Sequence, residues 1–97
     1  MRKAFVKKLT ELVSNDEKIY LLTGDLGFSV FDDFRQTFPN NFINMGLSEA
    51  SMIGAAAGMA MEGRRVFVYS IIPFVTFRVL EQIRNDICLQ NLPVKII

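Results

Sequence analysis

From Arg2 to Asn15 the apolar residues Phe5, Val6, Leu9, Leu12 and Val13 fall three or four apart, with Lys3, Lys7, Lys8 and Glu11 between them. That spacing predicts an amphipathic helix. After the polar turn Ser14-Asn15-Asp16-Glu17 the period changes. Ile19-Tyr20-Leu21-Leu22-Thr23 is a short, nearly unbroken apolar run, as expected of a strand covered on both faces, and it ends on Gly24-Asp25-Leu26-Gly27. Residues 28–38 predict a short helix with Phe31 and Phe34 inward and Asp32 and Asp33 near its start, broken by Pro39-Asn40-Asn41. Residues 42–45 predict a second strand ending at Gly46. A helix of small residues follows, capped by Ser48 and stopped by Gly63. A third strand is expected at 66–70. One helix is then expected over about 74–89 with Phe77, Leu80, Ile83 and Ile87 inward, and a fourth strand at 94–97.

Short apolar strands alternating with helices predict a three-layer α/β/α domain with a mainly parallel sheet. A parallel strand normally feeds a loop and a covering helix. The apolar ending Leu92-Pro93-Val94-Lys95-Ile96-Ile97 therefore suggests either a chain cut short of its domain end or an edge covered by a partner.

Composition narrows the classes of function. The 97 residues amount to one domain at most, and 51% are hydrophobic, so a packed core is expected. Eleven basic against 10 acidic residues give a net charge of +1 with no like-charged block, which argues against a nucleic-acid surface or a polybasic membrane anchor. No apolar run approaches the roughly 20 residues that span a bilayer, and Met1-Arg2-Lys3-Ala4-Phe5 is too polar for a signal peptide. A cytoplasmic protein is the simple expectation. The chain has no His, so Ser-His-Asp and Cys-His catalysis and an ordinary His/Cys zinc site are excluded within it, and no metal ligands are assigned. Cys88, the single cysteine, reads as buried and unreactive.

Candidate chemistry lies at the carboxyl ends of the predicted strands, where open α/β sheets bind ligands. Glu49 falls in the first turn of the small-residue helix; there a carboxylate also suits the helix dipole alone. Asp25 follows a turn glycine and is equally compatible with turn chemistry. Phe74 and Phe77, at helical spacing, suit either a core or a ligand platform. A Gly-rich phosphate loop with Lys is missing, which disfavours a nucleotide-binding module. Carboxylates and aromatic faces suit a nitrogen heterocycle better than a diphosphate.

Taken in order, Gly24-Asp25-Leu26-Gly27, Phe42-Ile43-Asn44-Met45-Gly46-Leu47-Ser48-Glu49, Gly54-Ala55-Ala56-Ala57-Gly58-Met59-Ala60 and the stretch from Phe74 to Asp86 resemble the pyrimidine-binding domain of the transketolase family. Deoxyxylulose-phosphate synthase and the β subunits of 2-oxo acid dehydrogenases are relatives of that family. The resemblance runs from Arg2 to Ile97 and covers the first part of that domain, so residues 1–97 are expected to be a partial pyrimidine-binding domain of the thiamine diphosphate-binding fold. The family's Gly-Asp-Gly diphosphate and metal motif is missing from this sequence.

The resemblance implies roles residue by residue. Glu49 matches the catalytic glutamate that hydrogen-bonds N1′ of the thiamine aminopyrimidine, and Phe74 the aromatic that stacks on that ring, with Phe77 as the second candidate. Asp25 and Leu26 match a pair at the cofactor and domain interface. Leu47 falls where a residue supports the bent cofactor, and Arg2 and Ser29 where donors meet a sugar phosphate. Thiamine diphosphate and Mg²⁺ are then expected across an interface with a diphosphate-binding domain or subunit, in a homo- or hetero-oligomer that transfers a two-carbon ketol unit between sugar phosphates. Glu49-Ala50 departs from the commoner Glu-Gln or Glu-His, which leaves other thiamine enzymes, or a non-catalytic assembly subunit, as alternatives.

Overall fold

The computed structural model describes residues 1–97. Helix α1 (Arg2–Asn15) and strand β1 (Ile19–Thr23) have the limits that the change of period predicts. Helix α2 (Asp32–Thr37), strand β2 (Phe42–Asn44), helix α3 (Glu49–Met61) and strand β3 (Arg65–Tyr69) follow. Strand β4 (Val94–Ile96) closes the series.

The four strands form one sheet in the order β2-β1-β3-β4, and every pairing is parallel. Helices cover both faces, as the unbroken apolar strands require. On one face Leu9 and Val13 of α1 pack with Ile19, Leu21, Phe31 and Phe34. On the other, Met52, Ile53, Ala56 and Ala57 of α3 pack with Leu22, Val66 and Val68. Alternation along each strand divides the two cores: Leu21 faces α1, while Leu22, Val66 and Val68 face α3. The expected three-layer parallel architecture is the one observed.

The segment after β3 departs from the expected single helix. Helix α4 (Ile72–Val75) stops at Thr76, whose φ of −123° and ψ of −79° leave the helical region. The Thr76 hydroxyl donates to Ile72 O at 2.6 Å and so competes for a helical carbonyl. A 3₁₀ turn (Phe77–Val79), a short α5 (Leu80–Gln82) and a π-helical turn (Ile83–Cys88) complete the segment. This breaks the register on which the expected inward face depends. Val75, Val79 and Ile87 are buried, whereas Phe77 is 81% and Leu80 62% exposed. Ile83 packs at the core margin. The wider π turn also turns Cys88 outward, so the thiol expected to be buried is exposed.

Two turns set the geometry of the sheet's carboxyl end. At the end of β2, Asn44 Oδ1 accepts from the amides of Asp25 and Gly46, both at 3.0 Å, and its Nδ2 donates to Asp25 Oδ1 at 3.0 Å. One side chain thus ties the turn after β1 to the turn after β2. It also stabilises Asp25 in the left-handed region, at φ 57°. After β1, Gly27 has φ 84°, and a Cβ there would strike the ring of Phe31, which is buried edge-on against Tyr69.

Asn44→Ala is therefore expected to lower unfolding stability by about 1–2 kcal/mol, since these bonds are solvent-facing, and to speed exchange of the Asp25 amide; an unchanged urea midpoint with an unchanged exchange rate would contradict the clasp. Gly27→Ala is expected to cost at least about 2 kcal/mol, from strain plus displacement of Phe31, measured by the same urea titration.

Candidate functional site

Strand order places a switch point between β1 and β3: the chain leaves β1 toward β2 on one side and leaves β3 toward β4 on the other. Crevices at the carboxyl ends of such strands are where open sheets bind ligands. Gly24 follows β1, Ser70 follows β3, and Glu49 opens α3 above them.

Glu49 is only 9% exposed. Its Oε1 lies 3.6 Å from the point a Gly24 Cβ would occupy, with Gly46 O at 3.5 Å and Ser70 Oγ at 3.3 Å from the same point. At a bare Cα the hydroxyl and the carboxyl both border the strand end; a Cβ at Gly24 would crowd Ser70 Oγ, at 3.3 Å, and touch Glu49 Oε1 at ordinary contact distance. The chain's ion pairs join Lys8 to Glu11, Arg35 to Asp32 and Arg65 to Asp16, so no basic residue neutralises Glu49. A nearly buried carboxyl without a cation keeps its hydrogen-bonding capacity for something else. It is not capped by its neighbour either. Ser48 stands at the N-cap position, but its hydroxyl donates to Met45 O at 2.8 Å rather than accepting from the first turn of the helix, which corrects the expected cap.

The other expected site residues divide by location. Leu26 and Arg2 line one cleft of about 740 Å³ together with Phe28, Ser70, Ile72 and Pro73, mostly apolar and open toward the same end of the sheet. Asp25 is exposed and its carboxylate is engaged by Asn44, a turn role whether or not it also meets a ligand. Leu47 is 80% exposed just ahead of α3. Ser29 is exposed with φ 64° and does not line the cleft. Phe74 is half-buried, and one face of its ring carries the Arg78 guanidinium 3.6 Å from the centroid, leaving a single face for stacking. Phe77 projects outward instead of into a core.

Four contributors escape a reading of the sequence. Asn44 acts through turn amides, and Arg78 covers one face of Phe74, four residues before it. Gly24 matters for the space beside it. Ser70 had a visible signal, a polar residue closing the apolar run Val66-Phe67-Val68-Tyr69. No three His, Cys, Asp or Glu side chains gather where they could hold a metal ion, and no helix is long and apolar enough to cross a membrane. The chemistry on offer is a buried carboxyl facing a polar notch, beside an apolar cleft and an aromatic ring with one free face. That set fits a flat, nitrogen-bearing ring and includes no phosphate cradle.

Comparison with known proteins agrees. The family model for the transketolase pyrimidine-binding domain matches residues 1–97. A putative transketolase C-terminal section of Methanocaldococcus jannaschii is 40% identical over 98 residues, covering 100% of this chain and 31% of the relative. A 1-deoxy-D-xylulose-5-phosphate synthase of Clostridium perfringens is 34% identical over 91 residues, 93% of this chain and 14% of the relative. The solved structure of a split-gene transketolase in an inactive β4 tetramer superimposes with a TM-score of 0.88 at 41% identity, covering 98% of this chain and 32% of that one. The chain thus spans less than a third of the length of these relatives. With the family model matched from end to end, the chain belongs to the transketolase pyrimidine-binding domain family.

Proposed function

We infer that residues 1–97 are the first part of the pyrimidine-binding domain of a thiamine diphosphate-dependent, transketolase-type transferase in the cytoplasm, acting with a diphosphate-binding domain or subunit within an oligomer. The observation that carries this reading is Glu49: a nearly buried carboxyl with no ion pair, set beside the bare Cα of Gly24 at the switch point. Thiamine diphosphate, when bound, supplies a nucleophilic carbon that takes up a two-carbon ketol unit from one sugar phosphate and passes it to another.

This chain's own part is to hold and tune. Glu49 shares a proton with the ring nitrogen N1′ of the aminopyrimidine. Phe74 offers the face opposite Arg78 to that ring, with Phe77 as an alternative platform. Leu47 backs the cofactor, and Asp25 and Leu26 meet the cofactor and the adjoining domain. Arg2, in the cleft, and Ser29 lie toward the sugar phosphate. The diphosphate and its Mg²⁺ fall to a diphosphate-binding domain or subunit, as the family resemblance implies.

A deoxyxylulose-phosphate synthase is the second reading, favoured by the likeness to the Clostridium perfringens enzyme. It differs in the acceptor and donor the complete enzyme would use, and a substrate panel separates the two. Glu49 argues against a purely non-catalytic assembly subunit.

In the full-length protein with its diphosphate-binding partner, Glu49→Gln keeps the size and hydrogen-bonding reach of the side chain but removes its proton exchange. Ketol transfer is expected to fall by at least about 100-fold, the usual weight of a positioned acid–base group, with thermal unfolding nearly unchanged. Turnover equal to the parent protein would overturn the assignment.

A further inference from the structure

Ser70 has a hydroxyl that nothing in the chain satisfies. The residue is 5% exposed, and its Oγ is buried without a hydrogen-bond partner. Buried hydroxyls are rarely left so, because the lost hydration is not repaid. Alternation along β3 sets Ser70 on the side of Val66 and Val68, the face covered by α3. The Glu49 carboxyl descends from α3 into the same place, and both groups border the notch at Gly24, Ser70 Oγ 3.3 Å and Glu49 Oε1 3.6 Å from the missing Cβ. The carboxyl has no ion pair to hold it elsewhere, and the glutamate side chain is the longer and more mobile of the two.

We propose that Ser70 is a positioning residue for Glu49: its hydroxyl donates to Oε1 across the side-chain-free space of Gly24, fixing the carboxyl so that its second oxygen faces the ring-binding side. The pairing suits both groups, since a hydroxyl can donate and a carboxyl oxygen can accept. Gly24 is not in the left-handed region, and the closest atom a Cβ there would meet is Ser70 Oγ, at 3.3 Å. Gly24 serves by absence. The role given to Ser70 rests on the reading of Glu49 as the proton-sharing group, but the contact itself does not.

The test uses the full-length protein with its diphosphate-binding partner, first without cofactor. The infrared carboxyl band of Glu49 is isolated by subtracting the spectrum of Glu49→Gln. Ser70→Ala is expected to shift that band, Ser70→Thr to restore it, and Gly24→Ala to shift it in the parent but not further in the Ser70→Ala background. Loss of one hydrogen bond to a charged group should also lower kcat by about tenfold, with the apparent affinity for thiamine diphosphate little changed. If Ser70→Ala does not fold, Ser70→Cys, of similar size and with a weaker donor, is expected to shift the band by less. A band unmoved by Ser70→Ala, or by Ser70→Cys where that variant is needed, overturns the proposal. If the band moves while Glu49→Gln remains fully active, the contact stands and the proton-sharing reading falls. If Glu49→Gln is inactive and the band does not move, the reverse holds.

Discussion

A missing side chain governs the site. At Gly24 the end of β1 presents only a Cα, and the oxygens of Ser70, Gly46 and Glu49 stand around the position a Cβ would take. They come from segments following two other strands: Ser70 follows β3, while Gly46 and Glu49 come after β2. The strand order makes this meeting possible, because β1 is flanked by β2 and β3 and all three run parallel. Widening any of the three turns would separate the oxygens. Asn44 resists that by fastening the turn after β1 to the turn after β2. Sheet order and one asparagine clasp thus set the turns from which the carboxyl and the hydroxyl reach the end of β1.

The elements were legible wherever a single period ran long enough to be counted. The 3–4 spacing of Phe5, Val6, Leu9 and Val13 yields α1, and the apolar run at Ile19–Thr23 yields a strand buried on both faces; the structure has both. Glu49 and the glycine turns could be singled out because ligand chemistry in parallel sheets follows the strand ends. The segment after β3 was not legible. Its apolar residues recur at spacings compatible with more than one face, and the helix breaks at Thr76, whose φ and ψ leave the helical region and whose hydroxyl bonds the Ile72 carbonyl. Periodicity assumes a constant turn, so it assigns Phe77 and Leu80 to the interior; Cys88, as a lone cysteine, is expected there too. The break and the π turn place all three at the surface. Ser48 failed for a related reason: its hydroxyl has a nearer carbonyl, at Met45, than the amides it was expected to cap.

What remained invisible in the sequence is chiefly what depends on two distant segments at once. The hydroxyl of Ser70 becomes informative only when it is seen to be buried and unpaired beside Glu49. Arg78 over Phe74 is instead a local contact, four residues apart, and it decides which face of the ring a ligand can use. A family resemblance can transfer a role to Glu49 or Phe74, but it does not say which neighbours hold those groups in place.

The two ends of the sheet differ in a way that bears on the half-site proposed above. At the amino end the connections carry Glu17, Lys18 and Arg64, all exposed. At the carboxyl end Phe28, Leu47, Ile72 and Phe77 are each 70–81% exposed. Scattered apolar residues at a surface need no explanation, but here they follow three successive strands and border the end where the carboxyl is buried. Covering them would remove water from around Glu49, and removing water strengthens each electrostatic contact the carboxyl makes. A carboxyl that has given up ion pairing gains most from such closure, because its remaining hydrogen bonds then act in a medium of lower dielectric. The exposure of these four side chains and the isolation of Glu49 are therefore consistent with each other under a single reading, in which a diphosphate-binding surface completes the site from that side.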